Sequence, residues 1–435
     1  MMGIKVSVWD ELGVDAQSAL LERPALRVKE SHLDEVGRIV AMVRRNGDSA
    51  LFELSRKLDD AKLDSLRVDK DEFAAAAKQL DDESVAAIDL AITNVRRFHE
   101  QQIPGSISIE TSPGVRCERI SHAIDSVGLY VPAGTAPLPS AAVMLAVPAA
   151  IAGCPTRVMC TPPRPDGRAD PAVLVAASRS GVEDVFKIGG AQAIAAMAYG
   201  TESVPKVRKI FGPGNAWVTA AKTLVSADPA GASIDMPAGP TEVLIIADED
   251  ASPEFVAADL LSQAEHGVDS QVMLLTTSKH LVKKVQLEIG TQMRDLSRAD
   301  IARECLENSH IIVVESREMA IDISNRYAPE HLIMQISNPR DALRSIRNAG
   351  SVFLGEWSPE SVGDYCSGTN HVLPTYGYAG SHSGLGVDQF LRQTTVQELT
   401  KDGLAQLGDA VIKLAGIEGL DAHAAAVTRR LAGST

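Results

Sequence analysis

Cysteine is scarce and unpatterned in this chain of 435 residues. The five cysteines, Cys117, Cys154, Cys160, Cys305 and Cys366, form no C-x-x-C pair and no framework spacing, which excludes a disulfide scaffold and reads as reduced cytoplasmic thiols. Cys366 alone lies among polar residues, where it is either a thiol nucleophile or a small half-buried filler. Long apolar runs are also missing. The best candidate, Ala141 to Ala152, is short and carries Pro148, so it reads as a buried helix rather than a membrane span. The first residues lack the charged-then-apolar layout of a secretion signal. Basic charge is in deficit: a net charge of −15 argues against nucleic acid as the main partner. Finally, no G-x-G-x-x-G follows a strand-like run, so a standard dinucleotide fingerprint is absent.

What is present is a mean hydropathy of +0.00 with 45% hydrophobic residues, the balance of a soluble globular protein. Residues 1–110 read as a helical region packing on the core. Ser31 to Arg45 and Asp82 to Gln101 carry apolar residues at helical spacing. Strand and helix then alternate through 111–240: strands at Val127 to Val131, Arg157 to Cys160, Asp184 to Ile188 and Lys209 to Phe211, each followed or preceded by a helix-length segment. The alternation restarts at Glu242 to Asp248 and runs to residue 385, with strands at Gln271 to Thr276, His310 to Val314, His331 to Ile336 and Ser351 to Leu354. Asp235 to Pro240, rich in proline and glycine, is the hinge between the blocks. Short apolar runs separated by helices imply parallel sheets covered on both faces. The expected fold is therefore α/β: two Rossmann-like parallel-sheet domains in tandem, a series that suggests duplication, with a helical N-terminal region and a small helical C-terminal tail. The tail, 386–435, reads as helices at Val387 to Arg392, Leu404 to Glu418 and Leu420 to Leu431. It is too thin in core residues to fold alone, which predicts packing on another domain or subunit.

Polar clusters stand at the turns. Glu330-His331 follows Pro329 at a strand start, where a carboxylate and an imidazole can divide water activation from proton transfer; a strand-edge pair bonded to backbone fits the same residues. Gln263 and His266 share a face at a helix end, as metal ligands or as a dipole-stabilised cap. Asp364, in a glycine-flanked loop, is a ligand or an Asx turn. Glu418 and His423 lie on the tail, where a surface histidine is the plain alternative. A Gln, Asp and two-His set suits zinc or another borderline divalent ion with open positions for substrate. Gly189-Gly190 and Gly212-Pro-Gly214-Asn215 sit between strand and helix, where backbone N–H groups can meet a phosphate.

Read together, these segments resemble the histidinol dehydrogenase family. The likeness is carried by Val127-Gly-Leu-Tyr130, Gly189-Gly-Ala-Gln192, Gly212-Pro-Gly-Asn215, Asp235-Met-Pro-Ala-Gly-Pro240, Gln263-Ala-Glu-His266-Gly, Ala328-Pro-Glu330-His331, Gly363-Asp364 through His371, Thr395-Val-Gln-Glu398 and Glu418 through His423. The resemblance implies oxidation of L-histidinol to L-histidine through L-histidinaldehyde, with two NAD reduced in turn. It implies Zn2+ on Gln263, His266, Asp364 and His423, the last supplied across a homodimer with shared sites. It implies His331 as the base for the alcohol proton and Glu330 as the activator of water. Substrate would meet Thr241, Glu418 and the metal-side residues, with His371 a weaker candidate. Tyr130, Gln192 and Asn215 would contact NAD. The chain departs from the family at Thr241, where the family usually has serine. Another small alcohol as substrate, or a zinc hydrolase using Glu330, are the competing readings.

Overall fold

The computed structural model describes residues 4–23, 30–133, 136–236 and 239–433. Two parallel sheets dominate it. The first is ordered Asp184–Lys187, Thr156–Thr161, Ser126–Tyr130, Lys209–Phe211, Ser233–Ile234. The second is ordered Lys5–Val8, His310–Val313, Gln271–Thr276, Glu242–Ala247, His331–Gln335, Ser351–Leu354. Leaving aside the N-terminal strand, both sheets place their strands, numbered as they occur in the chain, in the order 3-2-1-4-5. The strand order therefore reverses between the first and fourth strands of each.

The reason for the sheets is visible in the strands. Glu242–Ala247 and Gln271–Thr276 are buried at every position, because helices cover both faces of a parallel sheet and leave no polar side. Each buried Leu, Ile or Val contributes roughly 1.5–3 kcal/mol on leaving water, so a charge at Leu244 or Leu274, both 0% exposed, would undo the second core. The helix Pro253–Ala264 starts as its residues require, with the Ser252 side chain accepting from the Phe255 N–H and Pro253 in the first turn.

Two segments differ from what local pattern implies. Lys5–Val8, in the region expected to be helical, is a strand pairing in parallel with His310–Val313. In the tail, Val387–Phe390 is a single 3-10 turn, and Leu391–Leu399 is a strand rather than a helix. It pairs antiparallel with Val115–Ala123, which also pairs with Ile107–Ser112. The β-branched run Thr394-Thr395-Val396 suits a pleated surface, but its partner is remote in sequence and no helical or strand period announces it. Two helices follow, Lys401–Ile417 and Asp421–Ala432. Of the hinge Asp235 to Pro240, Pro237 and Ala238 lie outside the described residues. All five cysteines are unpaired, Cys366 half-buried. Among the described residues no helix is long and apolar enough to cross a membrane.

Candidate active site

The polar cluster gathers at the amino edge of the second sheet, beside the point where strand order reverses. Thr241 immediately precedes the strand Glu242–Ala247, and His331 opens the neighbouring strand, paired with Val243. Helices return toward this edge, so the end of Pro253–Ala264 delivers Gln263 and His266 there. Glu330 is 6% exposed and His331 3%. Gly350 lets the last strand approach: a Cβ there would stand 2.6 Å from the Glu330 carbonyl oxygen.

Residues 241–242 hold both members of the doublet. The Glu330 carboxylate accepts from the Thr241 hydroxyl at 2.6 Å and from the Glu242 N–H at 2.9 Å. His331 Nδ1 lies 3.2 Å from the Glu242 carbonyl oxygen. A carbonyl can only accept, so Nδ1 carries a proton in either charge state, and Nε2 offers a lone pair when the imidazole is neutral. Nε2 is buried without a hydrogen-bond partner and faces Asp364 Oδ1 at 3.6 Å. Thr241 thus keeps the hydroxyl contact that a serine would make.

Asp364 does not sit in a loop. It belongs to the short helix Glu360–Tyr365, and Glu360, four residues earlier, shares its face. Glu360 is 1% exposed and was not singled out from sequence, although the i, i+4 spacing with Asp364 carried the signal. Ligand atoms of His266, Glu360 and Asp364 lie within 4.8 Å of one another. Burial, reinforced by Asp364 and Glu330, pushes the Glu360 carboxyl up to about 8, with His331 opposing. Burial likewise lifts Glu330 to about 7. For His331 burial acts downward, but Glu360, Glu330 and Asp364 outweigh it and hold the imidazole well above its ordinary range. Three acids crowded on one imidazole form a field suited to a cation.

Gln263 tests that fit. One placement of its amide donates nitrogen to Glu360 at 3.0 Å and turns its oxygen to Thr241. The other puts nitrogen on the Thr241 hydroxyl and oxygen against the Glu360 carboxylate. The first placement is the one that satisfies both ends of the amide, and it does so from protein groups alone. An amide oxygen, an imidazole and carboxylates are a donor set that a borderline divalent ion accepts, so the residues fit a metal.

Not every expected residue is here. Glu418 and His423 are exposed on the terminal helices, and His423 is outside the cluster. His371 is half-buried and within the field of Asp364. The residues expected to contact a nucleotide lie on the other sheet. Tyr130 ends the strand Ser126–Tyr130, and its hydroxyl accepts from the Gly190 N–H at 3.0 Å. Gln192 is 1% exposed in the helix Gly190–Tyr199. Asn215 caps Ala216–Ala227, its side chain accepting from Trp217 and Val218 N–H groups at 3.1 and 3.2 Å. Gly212, at φ 125°, brings its turn against the Tyr130 carbonyl, where a Cβ would clash at 2.2 Å. Tyr130 and the Gly212 turn stand at the carboxyl ends of the two strands that flank the order reversal, where open α/β sheets take ligands, while the Gly190 turn follows the edge strand Asp184–Lys187.

A sequence model of histidinol dehydrogenase matches residues 21–431. The chain belongs to the histidinol dehydrogenase family. Among relatives, histidinol dehydrogenase of Vibrio parahaemolyticus serotype O3:K6 is 53% identical over 428 residues, covering 98% of each chain. That of Xanthomonas axonopodis pv. citri is also 53% identical over 428 residues, covering 98% of this chain and 99% of its own. The crystal structure of histidinol dehydrogenase from Elizabethkingia anophelis superposes with a TM-score of 0.95 at 44% identity, over 99% of this chain and 98% of that one. As a member of the histidinol dehydrogenase family the chain is an oxidoreductase.

Proposed function

We propose that this protein oxidises L-histidinol to L-histidine by two successive dehydrogenations through L-histidinaldehyde. The observation that carries the reading is the meeting of Glu330, His331, Gln263, His266 and Asp364 at one sheet edge. Gln263, His266 and Asp364 would hold zinc, with His423 of the partner subunit as the fourth ligand. Tyr130, Gln192 and Asn215 would hold NAD. When bound, the metal orients and polarises the amino alcohol, and NAD accepts one hydride in each oxidation.

The chain's own groups manage the protons. His331 Nε2 takes the hydroxyl proton as the carbinol hydride departs, giving the aldehyde. Glu330, lifted to about 7 by burial, accepts a proton from the water that adds to the aldehyde carbon. His331 then takes the hydroxyl proton of the hydrate as the second hydride departs, leaving a carboxylate. Thr241 fixes Glu330 for this work. Glu418 would meet the substrate's cationic amine, which favours histidinol over an anionic alcohol. A zinc hydrolase would need no nucleotide turns and is disfavoured by the family.

The shared site rests on the tail. Its two helices pack on each other, and Leu414, Ile417 and Leu420 are exposed at 60, 72 and 40% beside Glu418. Such a surface, carrying two expected site residues away from the cluster, fits burial against a second copy. The decisive experiment is NADH formation from histidinol by zinc-loaded protein, lost on chelation and restored by metal. No NADH at any substrate concentration overturns the activity. Mixing equal amounts of inactive His423→Ala and His331→Asn chains should restore about a quarter of the parent's activity, since half of the dimers are then mixed and each mixed dimer has one intact site of two. Heterodimers without recovery overturn the sharing.

A further inference from the structure

The geometry points to Arg23, on the N-terminal segment, as a positioning residue that ties together the two chain segments holding the catalytic doublet; the assignment rests on the reading of Glu330 and His331 above. Residues 241–242 grip Glu330 and His331 from the strand side, while Tyr327-Ala328-Pro329 delivers them from the helix side. One guanidinium spans both. Arg23 Nε donates to Glu242 Oε2 at 2.7 Å and Nη2 to Glu242 Oε1 at 3.1 Å. Nη2 also donates to the Tyr327 carbonyl at 2.6 Å and reaches the Ala328 carbonyl at 3.4 Å. The plane lies 3.9 Å above the Tyr327 ring, and the Tyr327 hydroxyl returns to Glu242 at 3.0 Å and to Gln271 at 2.7 Å.

Three features make this more than a buried ion pair. The first is where the pair sits. Side chains of Arg23 and Glu242 are 10% and 2% exposed, and desolvating two charges is costly unless geometry is good and every donor is used. A purely structural need would be met as well by apolar residues. The second is Ala328, a non-glycine residue at φ 51° that immediately precedes Pro329 and the doublet. Such a conformation costs of order 1–3 kcal/mol and persists only where surroundings over-determine it. Arg23 bonds to the carbonyls on both its sides. The third is that the main chain of Glu242 is itself the partner of the doublet, donating to Glu330 and accepting from His331. Rotation or retreat of Glu242 moves the acid and the imidazole at once. Only a planar, multiply donating cation can bind a carboxylate side-on and two carbonyls while stacking on a ring, so lysine is a poor substitute.

The test uses the full-length zinc-loaded protein carrying Arg23→Lys, Arg23→Met or Tyr327→Phe, with turnover expressed per bound zinc. Arg23→Lys should lower kcat for alcohol oxidation about tenfold or more, leave KM for NAD and zinc content unchanged, and raise the primary deuterium isotope effect with carbinol-deuterated substrate, because hydride departure becomes limiting. Tyr327→Phe should shift the isotope effect the same way by less. Arg23→Met should fall furthest; if it fails to fold, Arg23→Lys alone decides. A lysine variant with kcat per zinc within twofold of the parent, or a drop with an unchanged isotope effect, overturns the assignment. Failure of the parent itself to oxidise histidinol would instead overturn the proposed activity, so the two failures are distinct.

Discussion

The two parallel sheets have the same strand order, the N-terminal strand aside, and carry their candidate site residues at opposite edges. In the first, Tyr130, Gln192 and Asn215 stand where strands end; in the second, Thr241, Glu330 and His331 stand where strands begin. The difference follows from which helix ends arrive. A helix that follows a strand starts at the sheet's carboxyl edge, bringing unpaired N–H groups and positive dipole ends. That is the natural place for a dinucleotide's phosphates. The same helix finishes at the amino edge of the next strand, bringing carbonyls and negative dipole ends. That edge favours a cation, and there the end of Pro253–Ala264 presents Gln263 and His266 beside Glu360 and Asp364. One topology used twice thus offers an anion-binding edge and a cation-binding edge, and a dehydrogenase that needs both can divide them.

The sharpest way to break this division is at the amino edge. His331→Asn keeps an Nδ-like donor for the Glu242 carbonyl but removes the lone pair of Nε2. Both oxidations should slow by about 10³-fold, within the range for loss of a general base. Zinc content and NAD affinity, measured by calorimetry, should hold, since the turns proposed for NAD belong to the other sheet. A matching loss of NAD affinity would show that the two edges are not independent.

A smaller effect is expected at the carboxyl edge. Asn215→Ala removes two cap bonds from the helix Ala216–Ala227 and should cost about 1 kcal/mol of stability. Because the cap also shapes the turn proposed to meet NAD, KM for NAD should rise several-fold while zinc affinity stays put. A variant with normal KM for NAD would move the nucleotide away from this turn.

Much of this arrangement was legible in the residues. Every strand of both parallel blocks from Val127 to Leu354 announced itself as a short apolar run, because full burial on two faces leaves no polar position to blur it; only the two-residue strand Ser233–Ile234 was too short to see. The second block's Ser252-Pro253 start was equally plain. What escaped depended on distant partners. Lys5–Val8 is a strand only because His310–Val313 offers an open edge, and Leu391–Leu399 only because Val115–Ala123 does. At the site, Gln263 and His266 could be paired by helical spacing, whereas Glu360 was hidden because Gly363 made its short helix look like a loop. Arg23 had no local signal at all: its partners, Glu242 and Tyr327, are set beside it by tertiary structure alone.

The least of the expected effects concerns a carboxylate that stands near the carboxyl edge of the first sheet. Asp59 follows the helix Glu30–Leu58 and lies close enough to Tyr130 for its charge to add to the burial that raises that phenol. One carboxylate oxygen is buried without a partner, and burial lifts the group to about 6. A negative charge suits the helix N-termini that arrive at this edge but would repel a bound phosphate. The linkage is direct: with the folded value above the unfolded value of about 3.9, the fold holds a proton between those limits that the unfolded chain has released. Stability from this group therefore falls as pH rises from about 4 through 6, and above that window the fold carries the full cost of an unpaired charge. Asp59→Asn should raise Tm at pH 7.5 by about 1 °C, with the gain fading as the pH is lowered to 5, read by calorimetry on both proteins. If the gain instead persists unchanged at pH 5, the carboxylate is not ionised at cost in the fold. If stability drops at pH 7.5, Asp59 has a partner that matters in the fold.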